Sequence, residues 1–170
     1  SILKEKNDFN SLDAFSTFIK NQSNIDKFII SSVVPELTKK YLKLIEKYSS
    51  PIKLINYKNS NLKLKVKDPS SVGADRLCNI KATIKLYEFP AIIIDFGTAT
   101  TYDVINEKSE FVGGAIAPGV ETSATYLINK SALLSKTDLE FPDNVVGIDT
   151  KENIQSGIMY GAVDQVVGMI

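Results

Sequence analysis

Apolar positions recur along this chain in two rhythms. Phe9, Leu12, Phe15, Phe18 and Ile19 are spaced as one face of a helix over residues 9–20. A continuous apolar and β-branched run over residues 28–34, interrupted only by Ser31-Ser32, predicts a buried strand. Pro35 stops that run and suits the first turn of a helix, where its missing N–H costs nothing. Leu37, Tyr41, Leu44, Ile45 and Tyr48 give that helix its apolar stripe. Residues 52–55 predict a short strand, and Leu62, Leu64 and Val66, alternating with lysines, a half-exposed one.

Pro69-Ser70-Ser71 is a break. Beyond it, Leu77, Ile80, Ile84 and Tyr87 mark a helix that starts near Gly73 and ends before Pro90. Residues 91–94 form the most apolar strand in the chain and run into a tight turn at Asp95-Phe96-Gly97. Residues 98–105 read as its antiparallel return. After a turn over 106–109, a third strand over 110–117 is broken by Gly113-Gly114 and closed by Pro118-Gly119. A helix over 120–129, a loop over 135–147 and a final helix over 151–170 complete the pattern. Gly157 and Gly161 should each cost that last helix about 1 kcal/mol against alanine, so they predict close backbone packing against a neighbour. Alternating strands and helices followed by a meander predict an α/β protein with a partly antiparallel sheet, its helix at 73–89 joining two lobes.

Composition narrows the chemistry. The chain has 170 residues, enough for one domain or two small lobes. Lys plus Arg and Asp plus Glu both total 20, which removes the usual electrostatic argument for a nucleic acid or an anionic membrane as partner. Cys78 is the single cysteine, so no internal disulfide can form and a reducing, cytoplasmic setting is expected. No apolar run is long enough to span a bilayer, and the first residues carry no apolar signal core. Histidine is absent, which excludes Ser–His and Cys–His catalysis and leaves a carboxylate, a lysine, a tyrosine or Cys78 as general base, with the 20 acids the first place to look.

Three segments could carry chemistry. In Asp95-Phe96-Gly97-Thr98-Ala99-Thr100-Thr101, an apolar strand delivers an acid to a turn, glycine permits close backbone approach, and threonine hydroxyls follow. Such a turn can hold a cation and phosphate oxygens, although a capped hairpin alone would use the same residues. Asp95-Phe96-Gly97 also spells a protein-kinase tripeptide, but the glycine-rich loop and the His-Arg-Asp loop are missing. Gly73-Ala74-Asp75-Arg76 places an acid in a helix's first turn. The dipole favours an acid there in any case, which is the simpler reading of the segment alone; in a phosphotransferase Asp75 could take a proton and Arg76 grip a carboxylate. Gly113-Gly114-Ala115-Ile116-Ala117-Pro118-Gly119 suggests a bulge, or a place where a ligand approaches the backbone.

In order and spacing, these three motifs resemble the type III pantothenate kinases. Ser31-Ser32-Val33-Val34-Pro35, Gly147-Ile148-Asp149-Thr150 and Gln155-Ser156-Gly157-Ile158-Met159-Tyr160-Gly161 fit the same family. The resemblance implies an α/β, ribonuclease-H-like, two-lobed actin-like ATPase fold with mixed sheets. The first lobe would run over 1–72, a connecting helix over 73–89 and the second lobe over 90–170. It implies ATP-dependent phosphorylation of pantothenate, with Asp75 as proton acceptor and Gly73, Ala74, Asp75, Arg76 and Thr150 at the substrate. Thr98 would contact ATP and Asp95 a monovalent cation, potassium or ammonium, with a divalent cation accompanying ATP. A cytoplasmic homodimer is implied, with pantothenate near the subunit interface. Two departures stand out. Relatives begin with an Asp-x-Gly-Asn-Thr phosphate loop, and nothing in residues 1–27 resembles it, so the reading is of an incomplete chain, its C-terminal part also missing. Many relatives also carry a substrate-side tyrosine where this chain has Val66. The competing readings are a non-enzymatic nucleotide-binding regulatory protein on the same fold and a kinase for another small alcohol or sugar.

Overall fold

The computed structural model describes residues 12–22, 24–131 and 137–170. Phe9 and the opening segment therefore lie outside the described residues, as do the first two residues of the loop expected at 135–147. The chain divides into two compact units. One holds the chain up to Leu62 together with Asp68–Lys81, and the other Lys63–Lys67 together with Ala82–Ile170.

In the first unit, helix α1 (Leu12–Lys20) meets helix α2 (Pro35–Ile45) through an edge-on pair of rings, Phe15 and Tyr41, 4.8 Å apart. Strands β1 (Phe28–Ile30) and β2 (Ile52–Leu54) run parallel, Phe28 opposite Ile52 and Ile30 opposite Leu54. Phe28 N–H bonding to Pro51 O and Ile55 N–H to Ile30 O extend that ladder. The expected strand over 28–34 thus stops at Ile30. The Ser32 hydroxyl accepts from Val34 N–H at 3.2 Å and from the Thr38 hydroxyl at 2.7 Å, turning the chain out of the strand. Pro35 then opens α2, where the sequence placed it. Ile19 and Ile45 are the buried residues of these helices.

The second unit is built on a four-stranded sheet. Strands β3 (Lys63–Leu64), β4 (Ala91–Phe96), β5 (Ala99–Ile105) and β6 (Glu110–Pro118) lie in the order β3-β6-β5-β4. The meander β4-β5-β6 is antiparallel, while β3 joins β6 in parallel. Gly113 and Gly114 do not break β6. The register shifts between Val104 and Ile105, leaving a bulge in which Gly113 has φ +118°, and a side chain at Gly114 would strike Tyr102 O at 1.8 Å. Of the two expectations for this pair, the bulge is what the sheet shows at Gly113, whose Cβ would meet nothing within 4 Å, while the close approach at Gly114 is that of the neighbouring strand β5. Phe111, Ile105, Tyr102, Thr100 and Asp103 are buried here.

Helices α4 (Val120–Lys130) and α5 (Thr150–Met169) pack on each other. The Tyr102 hydroxyl and Gln165 Oε1, 3.3 Å apart, tie α5 to the sheet. The remaining helix, α3 (Ala74–Leu86), begins in the first unit and ends in the second. The expected tight packing at Gly157 and Gly161 is not found among the described residues, since a side chain at either would meet nothing within 4 Å.

Candidate functional site

The Gly-Ala-Asp-Arg segment is prepared by the turn before it. Asp68 caps the short 3-10 turn Pro69–Ser71, its Oδ1 accepting from Ser70 N–H at 2.9 Å and the Ser70 hydroxyl at 2.6 Å. Those bonds, the hydroxyl's first, hold the Asp68 carboxyl below its ordinary value. Val72 is buried, and Gly73 O accepts the first helical bond of α3 from Leu77 N–H at 3.0 Å. Ala74, Leu77 and Ile80 form the buried face of α3, which leaves Asp75 exposed on the opposite side. Asp75 Oδ1 accepts from Arg76 N–H at 2.7 Å, so the carboxylate is folded over the helix start. A side chain on Gly73 would put its Cβ 2.5 Å from Asp75 Oδ1 and 3.2 Å from Val33 Cγ1. The Ser31–Val34 turn and the Gly73–Arg76 segment therefore meet within the first unit, which brings together two motifs that the sequence left 40 residues apart by number, about the length of a βαβ unit.

The acid–Gly–Thr segment lies in the second unit. Asp95 and Phe96 belong to β4 itself, not to the turn, and Gly97-Thr98 alone makes the reversal, with Gly97 N–H bonded to Ala99 O at 3.0 Å. Asp95 stands opposite Thr101 on β5, so the two side chains share a face of the sheet. Thr101 Oγ1 is buried and finds no hydrogen-bond partner among the described residues. A half-buried carboxylate beside an unsatisfied hydroxyl is an all-oxygen set that suits a hard cation. Among the described residues, no group of three or more His, Cys, Asp or Glu side chains gathers in metal-binding geometry, so a multi-carboxylate centre finds no support there.

The two glycines near the turn differ in kind. Gly119, buried, is held against the turn: its N–H donates to Thr98 O at 3.0 Å, and a Cβ there would fall 2.0 Å from Gly97 O and 2.7 Å from Thr98 O. Nothing in the protein requires glycine at 97 in the same way, because a Cβ there would meet only Ala99 O at an ordinary 3.5 Å. The Thr98 side chain is exposed, and the Thr122 hydroxyl donates to Thr98 O at 2.8 Å. Gly119 closes the glycine-rich segment that the sequence singles out, whereas nothing in the sequence marks Thr122, because its contact with Thr98 spans 24 residues and leaves no local signal.

Thr150 is the first residue of α5 and is exposed. Asp149 caps the helix by accepting from Glu152 N–H at 2.8 Å, and Glu152 accepts in turn from Ile148 N–H at 2.9 Å. The Gln155–Tyr160 motif is occupied with the preceding segment. Gln155 Nε2 donates to Asp138 O at 2.9 Å, Ser156 Oγ to Val145 O, and the Tyr160 hydroxyl to Pro142 O at 3.0 Å. Gly73, Ala74, Asp75 and Arg76 thus gather in one unit, Asp95 near the end of β4 and Thr98 on the turn that follows it in the other, and Thr150 at the start of α5 in that second unit.

A mixed sheet with a central antiparallel meander, an acid delivered to a Gly-Thr turn, and a Gly-Ala-Asp-Arg helix start define the class, an actin-like ATPase fold. The chain belongs to the type III pantothenate kinase family, whose model matches residues 4–170. It is 43% identical over 162 residues to a type III pantothenate kinase of a Sulfurihydrogenibium species, covering 92% of this chain and 64% of that one. The corresponding figures are 42% over 149 residues for the Halalkalibacterium halodurans enzyme of that name, and 43% over 150 for that of a Geobacillus species. Those matches cover 86% and 87% of this chain, and 59% and 58% of the relatives. The chain thus spans 58% to 64% of the length of these relatives. Among solved structures, a conserved protein from Campylobacter jejuni, described as a candidate Baf family transcriptional activator, superposes with a TM-score of 0.61. At 22% identity, over 93% of this chain and 68% of that one, it supports the fold alone.

Proposed function

We propose that the protein carrying this chain phosphorylates pantothenate with ATP, giving 4'-phosphopantothenate, the first step towards coenzyme A. The observation that carries this reading is the exposed Asp75 carboxylate, set on a helix start where any side chain at Gly73 would displace it. Family membership names the acceptor that such a carboxylate would serve.

Asp75 accepts the proton of the pantothenate hydroxyl as its oxygen attacks the γ-phosphorus of ATP, while the bond to the departing ADP breaks. Arg76 offers the acceptor's carboxylate a planar pair of donors beside Gly73 and Ala74, and Thr150 is assigned to the substrate on the family resemblance. Thr98 binds ATP on a turn where Gly97 leaves room that the protein itself does not need, which supports close approach of a phosphate. Asp95, with the Thr101 hydroxyl, would hold a potassium or ammonium ion that offsets phosphate charge, and a divalent ion would accompany ATP. Val145, Val146 and Ile148, 63%, 82% and 91% exposed just ahead of Thr150, are apolar surface that a second subunit would cover, in keeping with a homodimer. The setting expected is the cytoplasm. Among the described residues, no helix is long and apolar enough to cross a membrane.

The test is turnover by the full gene product. ATP consumption should require pantothenate, and Asp75→Asn should lower kcat by about 100-fold or more with the fold intact. Normal turnover in that variant would remove Asp75 as the base, and preference for a sugar would sink the choice of acceptor.

A further inference from the structure

The Gly97–Thr98 turn has only two residues between β4 and β5. Its Thr98 carbonyl takes two hydrogen bonds from outside the hairpin, both from the start of α4: Gly119 N–H at 3.0 Å and the Thr122 hydroxyl at 2.8 Å. Because the peptide unit is planar, fixing that oxygen fixes the whole 98–99 peptide and, with it, the frame on which the Thr98 hydroxyl is presented. The first donor is a backbone group that any residue except proline would supply. The second is a side chain, and it is the one contact of the clamp that evolution or mutation can remove without touching the backbone. Thr122 is exposed, so its hydroxyl has no burial to satisfy and little share in the stability of the fold.

We propose that Thr122 is a positioning residue of the ATP half-site. Its hydroxyl holds the Thr98 carbonyl, and so the Gly97–Thr98 turn, in the orientation that meets the nucleotide's phosphates, without touching the nucleotide. This rests on the assignment of Thr98 to ATP.

The experiment uses the full gene product with Thr122→Val, close in shape but without the donor, and Thr122→Ser, which keeps it. ATP affinity is measured by calorimetric titration. KM for ATP, KM for pantothenate and the melting temperature are measured alongside. Thr122→Val should weaken ATP about tenfold in both Kd and KM, the scale expected when a contacting group is misplaced by a fraction of an ångström. Its KM for pantothenate and its melting temperature should stay at wild-type values. Thr122→Ser should stay within about twofold of wild type throughout, since the hydrogen bond is retained. Unchanged ATP affinity in Thr122→Val overturns the proposal. So does a serine variant as weak as the valine one, or a rise in both KM values with a lowered melting temperature, which would mark a structural role. If the wild-type protein binds ATP but leaves pantothenate unphosphorylated, the acceptor assignment fails and the titration still decides Thr122. If it does not bind ATP, both fall.

Discussion

Gly73 and Gly119 each stand where a methyl group would collide, yet the collisions differ in what can yield. At Gly73 the nearest atom is Asp75 Oδ1, the far end of a rotatable side chain. Gly73→Ala should therefore fold with stability within about 1 kcal/mol of wild type, because the carboxylate swings aside. Turnover should fall by about tenfold or more, because that same carboxylate is the proposed base. At Gly119 the atoms in the way are the carbonyl oxygens of Gly97 and Thr98, which are backbone and cannot rotate away. Gly119→Ala should cost about 2 kcal/mol or more and lower the melting temperature by several degrees. Circular-dichroism melts set beside steady-state kinetics separate the two cases. A Gly119→Ala protein that melts like wild type would contradict the packing described here.

At the scale of the element, two carboxylates titrate through their local turns. Asp68 is held low by the Ser70 hydroxyl and then the Ser70 N–H. Glu110, where β6 begins, is held low first by the Asn106 amide, helped by Lys65, Lys63 and Lys108. A carboxyl whose folded pKa lies below its unfolded value contributes stability that is fully present above the unfolded pKa, about 4. That contribution is lost as pH falls through the folded value. Urea midpoints should therefore drop as pH is lowered below about 4, and Asp68→Asn should flatten part of that slope while leaving the pH dependence above about 4 unchanged. An unchanged slope would mean the cap is not formed in solution. Helix starts were the legible part of these elements: Pro35 opens α2 and the acid-capped α5 begins within one residue of its expected start. Strand ends were less so. Asp95 and Phe96 read as a turn but lie in β4, because pairing with Thr101 and Thr100 carries the ladder to the last residue before Gly97. Periodicity sees a strand's own side chains and not the partner that prolongs it.

For the whole molecule, the proposed acceptor residues and the proposed ATP turn belong to different units, and α3 is the element shared between them. A ligand that binds the folded state stabilises it by mass action, so ATP at about a hundredfold excess over its Kd should add about 2.7 kcal/mol. Amide exchange should show where. Protection should concentrate in residues 95–101 and 119–123 and spare α1. Protection falling on α1 and α2 instead would remove Thr98 from the ATP site.

The sequence by itself determined the chemistry on offer: no histidine, an acid before Gly-Thr, an acid after Gly-Ala, and helix starts marked by proline and aspartate. It also determined element types, because 3.6- and 2-residue periods are local properties of the chain. What only the tertiary structure decided are the contacts between distant segments. These are the parallel pairing of β3 with β6, the meeting of Val33 with Gly73, and the clamp of Thr122 on Thr98 across 24 residues. A hydroxyl and a carbonyl that far apart leave no periodic trace, since their bond depends on how β6 and α4 return the chain to the turn, and only packing settles that.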